Sequence, residues 1–426
     1  MPYLRNLAYL VLLILLLPWL LISVITKGKY RQGFGAKFLG LVPRLPATGV
    51  DSSQRRIWLH AVSVGEVNLL QPVLQELEQR YPDWECVIST TTRTGFDLAR
   101  QKYSPRTVFY CPLDFSWAVK TALKRIQPDL FILIELELWP NLIHYTAKKC
   151  PVKIINGRLS ENSSRGYKKL GFLIRPTLRK LSHIAVQNEQ YAQRFLEIGA
   201  TAEQITVTGS IKFDGAESNR ANEKTLALKQ LAGIQDDDVV LLAGSTQVEE
   251  ERLCLRFFNQ HQSTYPNLKL ILVPRHPERF DDVADMCKNA GFEFIRRSAM
   301  DQPVPSDIRV LLIDVIGELG AWWGLTDIAL VGGSMGSRGG QNMIEPAAYG
   351  AAVCFGPNTW NFKDIVELLL HHQAAKVIHS TEQFEEFIDW CIHTSEQAQS
   401  MGKAAAELVA LQQGATRRTV DILSFL

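Results

Sequence analysis

The sequence predicts two α/β domains, each built on a parallel sheet, behind an apolar N-terminal helix. Fourteen short apolar runs fall into two sets of seven, and amphipathic stretches separate them. Near the start, nineteen consecutive residues carry no charge.

At 426 residues the chain is too long for one small domain. Its 46% hydrophobic and 21% charged content is ordinary globular composition. That excludes a disordered, collagen-like or polytopic membrane chain. The net charge of +2 is unevenly placed. Arg5, Lys27, Lys29, Arg31, Lys37 and Arg44 lie in the first 50 residues with no acid, so the remainder carries 40 − 44 = −4. A basic apolar head on a mildly acidic body points to an anionic surface at one end and away from nucleic acid.

The uncharged run Leu7–Ile25 reads LAYLVLLILLLPWLLISVI. As a helix it would reach roughly 28 Å, about one hydrocarbon thickness. It ends in ITKGKYR, with no small-residue cleavage site, so it reads as an uncleaved anchor rather than a signal peptide. Basic residues concentrated after it place the body on the cytoplasmic side.

The first set of runs is IWLHAV (57–62), ECVIST (85–90), TVFYCP (107–112), LFILIEL (130–136), VKIING (152–157), HIAVQN (183–188) and ITVTGS (205–210). A charged stretch, 216–238, follows. The second set is VVLLAGS (239–245), LKLILVPR (268–275), FEFIRR (292–297), RVLLID (309–314), IALVGG (328–333), AAVCFGP (351–357) and AKVIHS (375–380). Near-continuous apolar strands spaced by helices such as 67–80 and 117–126 describe parallel sheets covered on both faces. The expected division is an anchor at 1–30 and domains at 31–215 and 216–426. Cys86, Cys111, Cys150, Cys254, Cys287, Cys354 and Cys391 form no CxxC pair and read as buried reduced thiols.

Ligands of such sheets bind beyond the carboxyl ends of the strands. The chemistry-bearing residues fall there. Glu66 lies just past the first strand, after Gly65; Glu135 and Glu137 close the fourth; Arg158 and Lys212 follow the fifth and seventh. In the second half Ser245, Thr246, Arg275, His276, Glu318 and the stretch 334–345 follow strand ends. No GxGxxG, GxxxxGK[ST] or HExxH motif occurs, and no carboxylate pair is placed to hold a metal on a nucleotide phosphate. His60, His276, His371 and His372 read as packing or surface residues. GGSMGSRGGQNMIEPAAYG (332–350) remains: glycines for close backbone approach, a helix starting near Asn342, and Glu345 in its first turn. With Arg275 this favours a nucleotide phosphate site, the carboxylate facing ribose hydroxyls. A carboxylate under a helix-covered sheet would have its pKa raised by desolvation, toward the range of a general base.

The blocks HAVSVGEV (60–67), IELELWPN (134–141), NGRLSENSSRGYKKL (156–170), VTGSIKFD (207–214), LVPRHPERF (272–280) and the run from Gly332 to Asp364 resemble the 3-deoxy-D-manno-octulosonic acid (Kdo) transferases of lipopolysaccharide assembly. The resemblance runs in order through almost the whole chain. It implies a GT-B architecture, two Rossmann-like parallel-sheet domains facing a cleft. It implies inverting, metal-independent transfer of Kdo from CMP-Kdo to a lipid A precursor at the inner membrane, with no cofactor. Glu66 would be the general base, and Glu135 and Lys212 would support the transition state. CMP would be held by Pro274 and Arg275, by Gly317, Glu318 and Leu319, and by Asn342, Met343, Ile344 and Glu345. One position departs: the family usually reads GGHN where this chain has Gly339-Gly340-Gln341-Asn342, and Gln341 carries no charge. Arg31, Lys37 and the run Arg165, Lys168, Lys169, Arg175, Arg179 and Lys180, with Leu170, Phe172, Leu173 and Leu178 interleaved, are expected to meet acceptor phosphates and inner-membrane phospholipid. Two other readings stay open: a GT-B enzyme using a UDP-sugar on a lipid acceptor, and a non-catalytic, membrane-tethered nucleotide-sugar binder.

Overall fold

The computed structural model describes residues 3, 5–11, 13–15, 32–46 and 54–423. The chain divides into two compact units, Met1–Asp214 with Gln413–Leu426, and Gly215–Gln412.

The first unit is built on β1 (Arg56–His60), β2 (Glu85–Thr90), β3 (Val108–Tyr110), β4 (Leu130–Ile134), β5 (Val152–Gly157), β6 (His183–Val186) and β7 (Ile205–Val207). Every pairing is parallel, in the order β3-β2-β1-β4-β5-β6-β7. Apolar residues go to alternate faces. Ile57, Leu59, Leu130 and Ile132 join one buried cluster, with Val67, Leu70 and Leu74 of helix Val64–Arg80. Trp58, Phe131 and Leu133 join another, with Val119, Ala122 and Ile126 of helix Ser116–Ile126. Burial on both faces is why these strands read as unbroken apolar runs.

The second unit holds β8 (Val239–Thr246), β9 (Leu268–Pro274), β10 (Phe294–Arg296), β11 (Val310–Leu312), β12 (Ile328–Val331), β13 (Ala352–Phe355) and β14 (Ala375–Val377). They are also parallel, in the order β10-β11-β9-β8-β12-β13-β14. All seven cysteines are buried thiols.

Two expectations are corrected. The division placed 216–426 in the second domain, but residues 413–426 belong to the first unit. Ala415, Val420 and Leu423 of the last helix are fully buried in the cluster that holds Ile57 and Leu59. The Asp214 carboxylate accepts from the amides of Gly414 (2.6 Å), Ala415 (3.3 Å) and Thr416, satisfying donors at the helix start. In addition, Leu178 is fully buried and is not available to a membrane or acceptor.

Of the expected anchor 7–25, residues 12 and 16–25 lie outside the described residues, as does Arg31. Residues 5–11 and 13–15 are helical. Among the described residues no helix is long and apolar enough to cross a membrane. The helical start is docked on the first unit. Asn6 donates to Ser116 Oγ at 2.6 Å, Tyr9 to Asp114 at 2.8 Å, and Arg5 to the Pro140 carbonyl at 3.2 Å. Leu7, Leu10, Val11, Ile14 and Leu15 of the same segment are exposed.

Candidate active site

In the first sheet the strand order reverses between β1 and β4; in the second it reverses between β8 and β12, and the edge pair β10-β11 is inverted as well. Such switch points leave a crevice beyond the carboxyl ends, where α/β proteins bind ligands. Glu66 and Glu135 follow the two strands at the first reversal. Thr246 and the glycine-rich stretch from Gly332 follow those at the second.

In the first unit Ser63 caps helix Val64–Arg80, and Glu66 sits in its opening turn. The Glu66 carboxylate accepts from the Val62 amide (2.8 Å) and the Ser63 hydroxyl (3.0 Å), a capping arrangement in its own right. Burial nevertheless dominates. It pushes the Glu66 carboxyl from 4.5 up to about 7; the Val62 amide opposes the rise, and the charges of Glu135 and Glu137 add to it. Glu137 is likewise raised by burial and then by Glu135. Lys212 Nζ stands 3.8 Å from Glu135 Oε1. Its short 3-10 turn, Ile211–Phe213, is held by Asn156, whose Oδ1 accepts from the Ile211 amide at 3.0 Å. Glu135 and Asn156 both occupy the left-handed region, at φ 59° and 53°. Non-glycine residues keep that conformation where their surroundings impose it. Glu66, Glu135 and Lys212 are thus brought together.

In the second unit β8 ends in a bulge, with Ser245 at φ 56°. The backbone after β12 runs close against it: a Cβ on Gly332 would stand 2.5 Å from the Ser245 carbonyl oxygen and 2.7 Å from Thr246 Cα. Pro274 ends β9, and the exposed Arg275 follows, its amide donating to the Thr246 carbonyl at 3.2 Å. Among the described residues no ion pair holds the Arg275 guanidinium. Asn342 donates to Glu345 at 2.9 Å and accepts from the Ile344 amide at 3.1 Å. Burial raises the Glu345 carboxyl. The helix expected near Asn342 begins at Ile344 and ends at Ala348, while Met343 is buried at its cap. So short a helix adds little dipole. Gly317 and Leu319 flank Glu318, whose carboxylate is engaged by Arg297 (2.8 and 3.0 Å) and by the Trp322 indole (3.2 Å).

Several site-shaping residues escape sequence reasoning. Fully buried Glu250 accepts from the amides of Ser334 (3.0 Å), Met335 (2.9 Å) and Gln247 (2.9 Å), fixing the glycine-rich loop to helix Val248–His261. Its neighbour Glu251 binds the Thr246 hydroxyl at 2.9 Å and pairs with Arg279. The pattern Gln247-x-x-Glu250 signals a helix start, but its reach to a loop more than eighty residues away is not local information. Among the described residues no three His, Cys, Asp or Glu side chains gather as a metal site would require.

Comparison with known proteins fits this geometry. Residues 33–215 match a family model described as 3-deoxy-D-manno-octulosonic-acid transferase (kdotransferase). The 3-deoxy-D-manno-octulosonic acid transferase of Haemophilus influenzae is 34% identical over 400 residues, covering 93% of this chain and 91% of its own. That of Bordetella pertussis is 34% identical over 380 residues, 86% of each chain. The crystal structure of a UDP-GlcNAc 2-epimerase from Neisseria meningitidis bound to UDP-GlcNAc shares the fold at a TM-score of 0.56 and 15% identity, covering 86% of this chain and 99% of that one. A glycosyltransferase is therefore the class of enzyme in hand. The chain belongs to the family of 3-deoxy-D-manno-octulosonic acid transferases.

Proposed function

We propose that this enzyme moves Kdo from CMP-Kdo to a hydroxyl of a lipid A precursor, with inversion and without a metal ion, at the cytoplasmic face of the inner membrane. The observation that carries the mechanism is Glu66: a carboxylate beyond the first strand, tuned by burial to about 7. A base whose pKa lies near the working pH is suited to proton transfer. Glu66 removes the acceptor hydroxyl proton as the oxygen attacks the anomeric carbon. The bond from that carbon to the CMP phosphate breaks, its electron pair leaves on phosphate, and Glu66 then returns the proton to water.

Charge builds on the departing phosphate, where Arg275 and the amides of the glycine-rich loop offer positive groups. Asn342 and Glu345 would take the ribose hydroxyls. Lys212, held by Glu135, would meet the carboxylate of the sugar. The acceptor is an acylated phospho-sugar, which gives a reason for an apolar segment ahead of the body.

The test is donor and acceptor choice. Full-length protein in detergent is given CMP-Kdo or a UDP-sugar with a tetraacylated lipid A precursor, and product masses are read over time. The reading requires Kdo mass increments from CMP-Kdo in the presence of a chelator. Product from a UDP-sugar alone would replace the donor assignment, and a need for divalent metal would overturn the metal-free step.

A further inference from the structure

At the amino end of the first sheet, a recess of about 670 Å³ opens between the ends of helices Ser116–Ile126 and Pro140–Thr146. Asp129 on its wall precedes β4 and Glu135 follows it, so roughly 20 Å of strand separates the recess from the catalytic carboxylates.

Lys120, Lys124, Lys148 and Lys149 line the recess, and Asp129 is its one carboxylate. Asp129 is already engaged, accepting from the Arg56 amide at 2.8 Å with Arg55 at 3.9 Å. Among the described residues none of the four lysines has an ion-pair partner. Lys120 and Lys148 gather over one ring, their ammonium groups 4.7 and 5.7 Å from the Tyr145 centroid. Lysines near helix ends are ordinary complements to the dipole. That accounts for Lys124, and for Lys148 and Lys149 just past helix Pro140–Thr146, but not for Lys120 a turn earlier, nor for four uncompensated cations around one hollow.

The same two helices receive the N-terminal segment at their starts, the ends away from the recess. Asn6 bonds Ser116 and Asn141, and Arg5 reaches Pro140. Trp117, three residues before Lys120 on the same helix face, is 41% exposed beside these contacts. His144 ties the two features together. Its pKa is lowered by burial first and then by Lys148, Lys180 and Arg5, so the docked helix and the lysine cluster lie within electrostatic reach. An exposed apolar helix surface on the same unit as an exposed aromatic and a cluster of lysines has the ingredients of a bilayer interface.

We propose that this recess binds the phosphate-bearing headgroup of an anionic phospholipid. The proposal rests on the reading that the chain works on a lipid acceptor at a bilayer, and it adds a lipid site remote from the transfer chemistry.

The test uses full-length protein in nanodiscs of phosphatidylcholine alone, of phosphatidylcholine with phosphatidylglycerol, or of phosphatidylcholine with millimolar inorganic phosphate. Lysines are acylated and their rates read by peptide mass spectrometry. Lys120, Lys124, Lys148 and Lys149 should react several-fold more slowly in the anionic discs only, with Lys363 and Lys403 of the second unit unchanged. Equal rates in the two lipid compositions would overturn the proposal. Equal protection by inorganic phosphate would assign the recess to a free anion and overturn it as well. A variant with all four lysines changed to glutamine should lose preference for anionic over zwitterionic vesicles by roughly fivefold per lysine. It should keep Kdo transfer to a detergent-dispersed acceptor. An unchanged vesicle preference contradicts the lipid site. Loss of transfer in a variant of unchanged Tm would place these lysines in acceptor binding instead, while the transferase reading is judged separately on the wild type.

Discussion

Lys212 Nζ stands 3.8 Å from Glu135 Oε1, and Glu135 presents its carboxylate from a left-handed backbone with φ 59°. The ion pair joins the end of β4 to the turn after β7, and it sits beside the proposed base. The Glu135 charge adds to the rise in the Glu66 pKa that burial begins.

The first prediction follows from that coupling. Glu135 contributes to the raised Glu66 pKa, so Glu135→Gln should move the acidic limb of the pH–rate profile down, by about half a unit to one unit. Lys212→Ala leaves Glu135 uncompensated and should move the limb up, with kcat lower by roughly 10²-fold from loss of transition-state charge. Profiles of kcat/KM for the two variants, measured side by side, check the opposed signs.

Glu66 also makes stability depend on pH. Its folded pKa of about 7 lies above the ordinary 4.5, so the folded state binds more protons in that window. The contribution is fully present below the lower value and is lost as pH rises through the upper one. Glu66→Gln should therefore raise the urea midpoint near pH 8 and give no gain near pH 4. A gain of the same size at both would mean that the carboxylate is not strained by ionisation.

Glu250 is a buried carboxylate with three amide donors and no direct part in the proposed chemistry. Glu250→Ala should cost about 3 kcal/mol by orphaning those donors. It should raise the donor KM at least tenfold as the 332–340 loop loosens, with Glu250→Gln intermediate. Calorimetry and donor titration read the two effects.

Asp214 fastens the returning C-terminal helix. Asp214→Ala should cost about 1–2 kcal/mol and expose the segment after Gln412 to protease, with Lys212 two residues away losing its seat. Limited proteolysis and Tm report the first effects, and kcat the second.

All fourteen strands were legible, the central ones because a strand buried on both faces must be apolar throughout, though the edge strands β7, β10 and β14 are only partly buried. Glu66, Glu135 and Lys212 were legible as polar residues just past such runs. The fate of the last fourteen residues was not. The helix Ala415–Leu423 has an amphipathic pattern equally suited to either unit, and what selects the first is Asp214, some two hundred residues earlier. Glu250 was hidden for a related reason: an acidic residue opening a helix looks like local dipole complementation until the loop it binds is in place. The helix expected near Asn342 begins two residues later, since Asn342 spends its side chain on Glu345 and on the Ile344 amide.

The most direct measurement is Kdo transfer by wild type and Glu66→Gln in one experiment, with CMP-Kdo binding titrated on the same samples. The account predicts binding within a few-fold of wild type and a transfer rate lower by roughly 10²–10⁴-fold, the wild-type rate falling about tenfold per pH unit below the Glu66 pKa. A variant that transfers Kdo at the wild-type rate would contradict Glu66 as the base.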